Sequence, residues 1–324
     1  MDTKKAEEKL LSALRSHSKS FLSGAQLSRA SGVSRTTIWK RIEKLREEGY
    51  QIVAQPHLGY RLVAAPDRLI PDELKWSLKT ACVGKKIYSF ASTDSTMDVA
   101  HRLVDHGEPA GSVVLPERQT KGRGRLGRSW ISPAGSGIYL SVILKPKIAM
   151  QKAAVLTVLG TVAVVEAIEQ CTGLVPQIKW PNDVLINGKK VAGILTELKA
   201  ELNQIHAAII GIGFNVNSSK SSLPRHATSL SVESHHKVDR LQVAKALLVA
   251  LDHTYGQLQK GKLDSLLTRW RKHSMTLGRR VRVDCQDRHV DGEAIGLDKA
   301  GALLVRTDTG RMEPITAGEV LIVR

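Results

Sequence analysis

Apolar side chains recur at helical spacing early in the chain, at Leu10, Leu11 and Leu14 and again at Ile38, Ile42 and Leu45. Each set predicts one buried helix face. Between them, Ser23 stands three residues before Gln26, a reciprocal capping pattern that predicts a short helix over Gly24–Ala30. Ser31-Gly32-Val33 reads as a tight turn. Ser34 can cap a further helix that runs to about Glu48 and stops at Gly49. Two β-rich runs follow, Tyr50–Ala54 and Tyr60–Ala64, joined by Gln55-Pro56-His57-Leu58-Gly59. Three helices and a hairpin predict a winged helix-turn-helix over residues 1–65. Pro66 and Pro71 then mark residues 66–80 as a linker.

Beyond residue 80 the period alternates between strand and helix. Lys86–Phe90, Ser112–Leu115, Ile138–Leu144, Pro176–Lys179, Val184–Ile186 and Ala207–Ile212 read as strands. Ser95–Val104, Ala153–Glu169 and Asp239–Gln259 read as helices, the second apolar on nearly every side and therefore buried. Asn187-Gly188 favours a hairpin turn, which argues against a purely parallel sheet. The expected class is α+β with a mixed sheet, over residues 81–272. After about His273 only short strands are expected, at 280–284, 289–298, 302–308 and 319–323, broken at Asp287, Lys299-Ala300-Gly301 and Thr309-Gly310.

With 324 residues the chain is long enough for these two or three domains. Its net charge of +17 favours an anionic partner. Residues 1–80 carry +6 of that and the remainder +11, so charge alone does not separate DNA from a nucleotide. Cys82, Cys171 and Cys285 are too sparse for a disulfide scaffold or a zinc ribbon. The opening MDTKKAEEKL is not a signal peptide, and no run reaches the roughly 20 apolar residues of a membrane span. The expected location is cytoplasmic, without a membrane partner.

Candidate chemistry begins at the second capped helix. Arg35, Thr36, Thr37 and Lys40 cluster near its start, while its acids Glu43, Glu47 and Glu48 come later. That end is suited to a DNA major groove, with His57 and Arg61 of the hairpin near phosphates. Trp39 and Trp76 are expected to serve in packing.

Residues 119–130, QTKGRGRLGRSW, contain GxGxxG at Gly122, Gly124 and Gly127. A dinucleotide fingerprint must open a helix with small spacers. Here the spacers are Arg123, Arg125 and Leu126 and the sequel is not helical, so the run is a weak dinucleotide fingerprint and a nicotinamide enzyme is a remote rival. The glycines instead expose backbone N–H groups, and Arg123, Arg125 and Arg128 offer forked donors for carboxylate or phosphate. Such a loop is costly to order while empty, because its charges repel and its glycines lose entropy. It is expected to order over an anion. Lys179-Trp180-Pro181-Asn182-Asp183 follows, in which Asp183 can hold Mg²⁺ or fix a lysine. Lys190 precedes an apolar strand with a glycine, which directs its amine toward a cleft and an anion. Gly211 and Gly213 allow a flat ligand to lie on the backbone, and Asn215 supplies both a donor and an acceptor.

Taken in order, the winged helix, Asp94-Ser95-Thr96, Gln119 with Gly122-Arg123-Gly124-Arg125, Lys179-Trp180-Pro181-Asn182-Asp183, Lys190 with Ala192-Gly193-Ile194-Leu195, and Gly211-Ile212-Gly213-Phe214-Asn215 resemble the bifunctional biotin protein ligases. These are biotin operon repressors that are also biotin–[acetyl-CoA-carboxylase] ligases. The resemblance implies a central domain related to class II aminoacyl-tRNA synthetases and an SH3-like β-barrel over residues 273–324. It implies ATP-dependent formation of biotinyl-AMP, transfer to a lysine of a biotin carboxyl carrier protein, and repression of biotin genes by an adenylate-loaded homodimer on operator DNA. Biotin, ATP and Mg²⁺ are the expected ligands. By resemblance, Ser95 and Thr96 meet the biotin head group. Gln119, Arg123, Gly124 and Arg125 fold over biotin and the adenylate, and Lys190 contacts the reacting groups. Gly211 and Gly213 then line the biotin site, and Trp130, Asn182, Asp183 and Asn215 the nucleotide side, with Asp183 near the metal. Lys121 and Met97 depart from the common pattern. A lipoate or octanoate ligase of the same fold, and a sensing repressor without catalysis, are the alternatives.

Overall fold

Two serine caps set the register of the amino-terminal helices. In the computed structural model, which describes residues 3–201, 204–285 and 288–323, these helices are α1 (Thr3–Ser16), α2 (Gly24–Ser31) and α3 (Arg35–Glu47). Ser23 Oγ accepts from the Gln26 N–H at 3.2 Å while Gln26 Oε1 accepts from the Ser23 N–H at 2.8 Å. Ser34 Oγ accepts from the Thr37 N–H at 3.2 Å. Gly32, at φ 72°, ends α2 in the left-handed conformation that glycine adopts without Cβ strain. Strands β1 (Gln51–Gln55) and β2 (Gly59–Ala64) pair antiparallel as a wing. Leu10, Leu14, Leu27, Ile38, Ile42, Leu45, Ile52 and Leu62 form a separate core for this unit, Met1–Arg68. Trp39 is not part of it: at 54% exposure it stands on the open side of α3, against the expectation of packing, because the core face is filled by Ile38, Ile42 and Leu45.

Gly59 joins the wing to the helices. Its φ is +109°, and a Cβ there would lie 2.1 Å from the Leu22 carbonyl oxygen, the atom that accepts the Tyr60 N–H at 2.8 Å. Gly59→Ala is therefore expected to cost this unit more than the roughly 1–2 kcal/mol of unfavourable positive-φ backbone alone. In calorimetry of the full chain, the transition of the amino-terminal unit should fall in temperature while that of Leu69–Arg324 stays in place.

The second unit begins within the stretch expected as a linker: Leu69 is buried, and α4 (Pro71–Lys75) buries Glu73 and Leu74. The elements that follow are β3 (Ile87–Phe90), α5 (Thr96–Asp105), β4 (Val113–Pro116), β5 (Gly137–Leu144), α6 (Ala154–Thr172), β6 (Gln177–Lys179), β7 (Asp183–Ile186), β8 (Lys189–Glu201), β9 (Gln204–Asn215), α7 (Leu230–Ser234), α8 (Arg240–Gln259) and α9 (Leu263–His273). The seven strands form one sheet in the order β3-β4-β5-β9-β8-β7-β6, parallel between β3 and β4 and antiparallel elsewhere. The β7–β8 turn is Asn187-Gly188, both at positive φ, as the right-handed strand twist favours.

Helix α6 lies on the sheet and buries 12 of its 19 residues. With its preceding turn, residues 150–172, it is long and apolar enough by length and composition to cross a membrane, contrary to the sequence expectation. Its apolarity is that of a core helix: two thirds of the apolar window is buried inside the fold. At Gly160 a Cβ would stand 3.1 Å from Ile194 Cγ2, so the missing side chain lets helix and sheet approach. Helix α9 escaped sequence notice, although Leu266, Leu267 and Trp270 are fully buried along one of its faces.

The carboxy-terminal strands are β10 (Arg280–Asp284), β11 (His289–Leu297), β12 (Leu303–Thr307), β13 (Met312–Ile315) and β14 (Glu319–Ile322). They form an open sheet in the order β13-β12-β11-β10-β14, not the SH3-like barrel that the resemblance implied. Closure would require the two edges to pair with a consistent stagger. Here both edge strands have four residues, and β13 carries Pro314, which has no N–H to donate. Val281, Val283, Ala294, Leu303 and Val305 join the same core cluster as the central sheet. The break expected at Asp287 lies outside the described residues.

Candidate active site

Adjacent strands β8 and β9 place Gly193 opposite Gly213 and Leu195 opposite Gly211. These glycines floor a cavity of about 680 Å³. A Cβ at Gly213 would lie 2.3 Å from Trp130 Cε2, one at Gly193 would lie 2.9 Å from Lys190 Cε, and one at Gly211 would lie 2.6 Å from Met97 Sδ. The bare backbone thus admits an indole, a lysine stem and a thioether. The flat surface expected to meet a ligand at Gly211 and Gly213 is covered here by Met97 and Trp130.

The Gly122–Arg128 segment forms one wall. It is cross-tied by Trp130 N–H to the Gly122 carbonyl at 2.8 Å and Gly124 N–H to the Arg128 carbonyl at 2.7 Å. Each of its arginines has a partner. Arg123 lies 2.8 Å from Asp98 and 3.5 Å from Glu197. Arg125 donates to Asn182 Oδ1 at 3.0 Å and to the Gly318 carbonyl at 3.2 Å. Arg128 pairs with Glu319 at 2.6 Å. Burial pushes the Arg125 guanidinium below its ordinary value, with Asp183 and Glu319 opposing that shift. Lys121 faces Asp94 at 3.3 Å, and the hydrogen bond from Thr120, with that lysine, holds the Asp94 carboxyl below the usual range. The unusual lysine before the loop thereby acquires a partner.

Opposite stands Lys190, its ammonium 2.7 Å from Asp183 Oδ1 and 5.4 Å from the centre of the Trp130 ring. The ion pair is close but lacks hydrogen-bond alignment, so Asp183 Oδ1 stays buried without a hydrogen bond. The Asn182 amide also donates to the Ile194 carbonyl at 2.9 Å. Asn215 is buried and donates to the Thr228 carbonyl at 3.1 Å.

Gln119 Oε1 accepts from the Thr96 N–H at 2.8 Å, and Thr96 Oγ1 accepts from Ser141 Oγ at 2.7 Å. Ser95 is 1% exposed, is not on the cavity wall, and its hydroxyl has no partner. Unsatisfied buried polar atoms are costly and rare. Trp130 Nε1, likewise buried without a partner, borders this cavity.

The fold therefore gathers Thr96, Gln119, Arg123, Gly124, Arg125, Trp130, Asn182, Asp183, Lys190, Gly211, Gly213 and Asn215 around one cavity. Sequence reading quoted Gly193 within the Lys190 motif without placing it in the site, and it missed the Pro224–Ala227 segment that pairs beside Lys190 and the contribution of Glu319 and Leu321 from the carboxy-terminal sheet. The i, i+2 spacing of Gly193 with Leu195 on a strand could have flagged the first; nothing local flags the others. Among the described residues no three His, Cys, Asp or Glu side chains cluster as a metal site. Asp183 offers one carboxylate, which suffices for a Mg²⁺ held mainly by substrate phosphates and water.

In the amino-terminal unit, Arg35, Thr36 and Lys40 are exposed at the start of α3, and His57 is exposed at the tip of the wing. Thr37 is half-buried and bonded to the capping Ser34. Arg61 is partly turned in, with its guanidinium 5.0 Å from the Phe21 ring centre.

A mixed-sheet core with an arginine-rich loop over a glycine-floored cavity, joined in one chain to a winged helix, defines an enzyme of anionic substrates with a built-in DNA-binding module. Comparison with known proteins specifies the class. Residues 89–215 match the biotin/lipoate A/B protein ligase family, 7–61 a helix-turn-helix domain, and 276–323 the biotin protein ligase C-terminal domain. The bifunctional ligase/repressor BirA of Bacillus subtilis (strain 168) is 40% identical over 294 residues, 90% of each chain. BirA of Escherichia coli (strain K12) is 30% identical over 304 residues, covering 93% of this chain and 92% of its own. The structure of biotin protein ligase from Aquifex aeolicus in complex with biotin and ATP aligns with a TM-score of 0.62 and 29% identity, over 74% of this chain and 99% of that one. The chain belongs to the family of bifunctional biotin protein ligase/repressors.

Proposed function

We propose that the cavity of the second unit joins biotin to ATP as biotinyl-AMP and passes the biotinyl group to a lysine of a biotin carboxyl carrier domain. The chain is a biotin-activating ligase and a biotin-dependent transcriptional repressor. The observation that carries the site assignment is the convergence of Arg123, Arg125 and Lys190 on one cavity whose floor is glycine backbone.

Two anions must meet in the first step, the biotin carboxylate and the α-phosphate of ATP. Lys190, Arg123 and Arg125 offset their repulsion, and fixed cations act most strongly where charge accumulates in the transition state. Pyrophosphate leaves. In the second step a carrier lysine amine attacks the acyl carbon and AMP departs, so no covalent enzyme intermediate is needed. Thr96 and Gln119 (with Ser95 behind them) border the biotin end; Trp130, Asn182 and Asn215 border the nucleotide end. Asp183 would hold a Mg²⁺ accompanying the phosphates, and the ion would supply charge neutralisation there. A cytoplasmic setting, where ATP and carrier domains are met, goes with this reading.

The decisive experiment is formation of labelled adenylate from α-labelled ATP with biotin, with lipoate, and with no acid. Product with biotin alone supports the reading. Product with lipoate alone moves the chain to the neighbouring ligase class, which the family matched at residues 89–215 also contains.

Closure of the Gly122–Arg128 loop shields the mixed anhydride from water. Trypsin cleavage between Lys121 and Arg128 is expected to slow at least about tenfold when biotin and ATP are present together, since a closed loop must open before it is cut. Equal rates with and without ligands would refute closure. For repression, the adenylate-loaded chain pairs as a homodimer, and Arg35, Thr36, Thr37 and Lys40, with His57 and Arg61 of the wing, meet a two-fold operator. Sedimentation and operator titration should both depend on biotin plus ATP.

A further inference from the structure

The outer face of α3 is not uniformly polar. Trp39 is 54% exposed there, whereas Trp76, Trp130, Trp180 and Trp270 are buried or half-buried. It lies four residues after Arg35 and three after Thr36, and Lys40 follows it; all three neighbours are exposed. Two helical turns further on, the same side of α3 is tied to the wing. Arg46 Nε and Nη2 donate to the Ile52 carbonyl of β1 at 3.0 and 2.7 Å. Trp39 therefore stands on the side of the helix that leads to the wing, just beyond the basic start. The nearest acid along that side, Glu43, is paired with Arg46 at 2.7 Å. The surface around the indole is thus apolar at its centre and cationic at its rim, which suits a polyanion that also presents an apolar group.

We infer that Trp39 is a specificity-determining residue of the repressor, packing against a thymine C5-methyl in each half of a two-fold operator. Arg35 and Lys40 supply attraction to the phosphates, which does not distinguish sequences. An indole has one donor and no acceptor, so it cannot form the paired bonds that read guanine or adenine. What it offers is a flat apolar face. In the major groove the apolar group on a base edge is the thymine methyl. Recognition helices meet base edges through their N-terminal residues, and Trp39 is the fifth residue of α3. This assignment rests on the reading of α3 as the operator-binding helix and adds the base group that the helix selects.

The test uses the full chain with biotin and ATP, and as probe the two-fold duplex that the parental chain enriches from a random pool. Exchanging thymine for deoxyuridine at one pair of symmetry-related positions removes two methyls and nothing else. At one such pair it should weaken parental binding about fifteenfold, about fourfold for each methyl. Trp39→Ala should weaken binding to the thymine duplex at least as much and then respond less than about twofold to the exchange. Its slope of log Kd against log salt should stay parental, because no phosphate contact is lost. Trp39→Phe, which keeps an apolar ring, should respond to the exchange to an intermediate degree and carries the same test if Trp39→Ala fails to fold. Parental binding that ignores every exchange overturns the inference. So does an exchange that costs the variants as much as the parent, which would assign the methyl to another residue, or a reduced salt slope in Trp39→Ala, which would mean that the helix has shifted on the phosphates. A parental chain that enriches no duplex would defeat the operator reading and this assignment together; enrichment with an indifferent Trp39→Ala defeats the assignment alone.

Discussion

Lys190→Ala should reduce adenylate formation about 10²-fold or more, the size typical of removing one preorganised donor to a developing charge. The side chain is 27% exposed in the cavity wall, its ammonium 2.7 Å from Asp183. That pairing fixes the cation before substrate binds, so little reorganisation is needed at the reaction. Little of the fold depends on the amine itself, because the neighbouring chain is held by backbone: the Lys190 N–H donates to the His226 carbonyl at 2.9 Å and the Lys190 carbonyl accepts from Thr228 at 2.8 Å. The melting temperature should therefore stay near parental. Lys190→Arg keeps the charge but not the compact ammonium, and is expected to recover only part of the loss. The measurement is single-turnover adenylate formation from α-labelled ATP; near-parental rates in folded Lys190→Ala would remove the residue from the mechanism.

The largest expected loss of stability lies elsewhere. Arg240 opens α8 with its side chain fully buried, donating to the Gly137 carbonyl at 3.1 Å and to Glu117 Oε2 at 2.8 Å. The other Glu117 oxygen accepts from the Leu69 N–H at 2.7 Å. Truncating one partner of a buried pair strands the other, at about 3–5 kcal/mol. Arg240→Met should lose about that much in urea unfolding of the full chain. Adding Glu117→Gln should restore part of it, because the carboxylate is then no longer left without its cation. Glu117 directly follows β4 and Gly137 opens β5, and between them runs the segment that carries Gln119, Arg123 and Trp130. Ligase activity in Arg240→Met should accordingly be lost at a lower temperature than in the parental chain. Parental stability in Arg240→Met would show that the site relaxes around the loss.

Much of this was legible because it is local. Ser23, Gln26 and Ser34 set helix starts through bonds that span three residues, so their spacing announces them. Asn187-Gly188 announces a hairpin because few residues tolerate two consecutive positive φ angles. The apolar run of α6 announces burial, although the same run also meets the length and composition of a membrane span, and only its place on the sheet distinguishes the two. Helix α9 was overlooked because its apolar positions, Leu266, Leu267 and Trp270, lie in a stretch otherwise rich in charge. Trp39 stands exposed because the helix face it occupies is set by its angle to Ile38 and Ile42, not by its own hydrophobicity.

The site divides in the same way. By itself the sequence determined which residue types were available and in what order: the glycine–arginine run, Lys-Trp-Pro-Asn-Asp, the lysine before an apolar strand, and the capped helices with their wing. Those signals rest on bonds and dihedrals within a few residues. Only the tertiary structure decided that Gly193 faces Gly213, that Met97 and Trp130 cover the glycine floor, that each loop arginine meets a carboxylate or carbonyl from a distant element, and that the last five strands stay an open sheet. These depend on strand register and on elements up to about two hundred residues apart, as Arg125 and Gly318 are. Contacts at that separation are selected by burial of the whole core and leave no periodic mark in the chain.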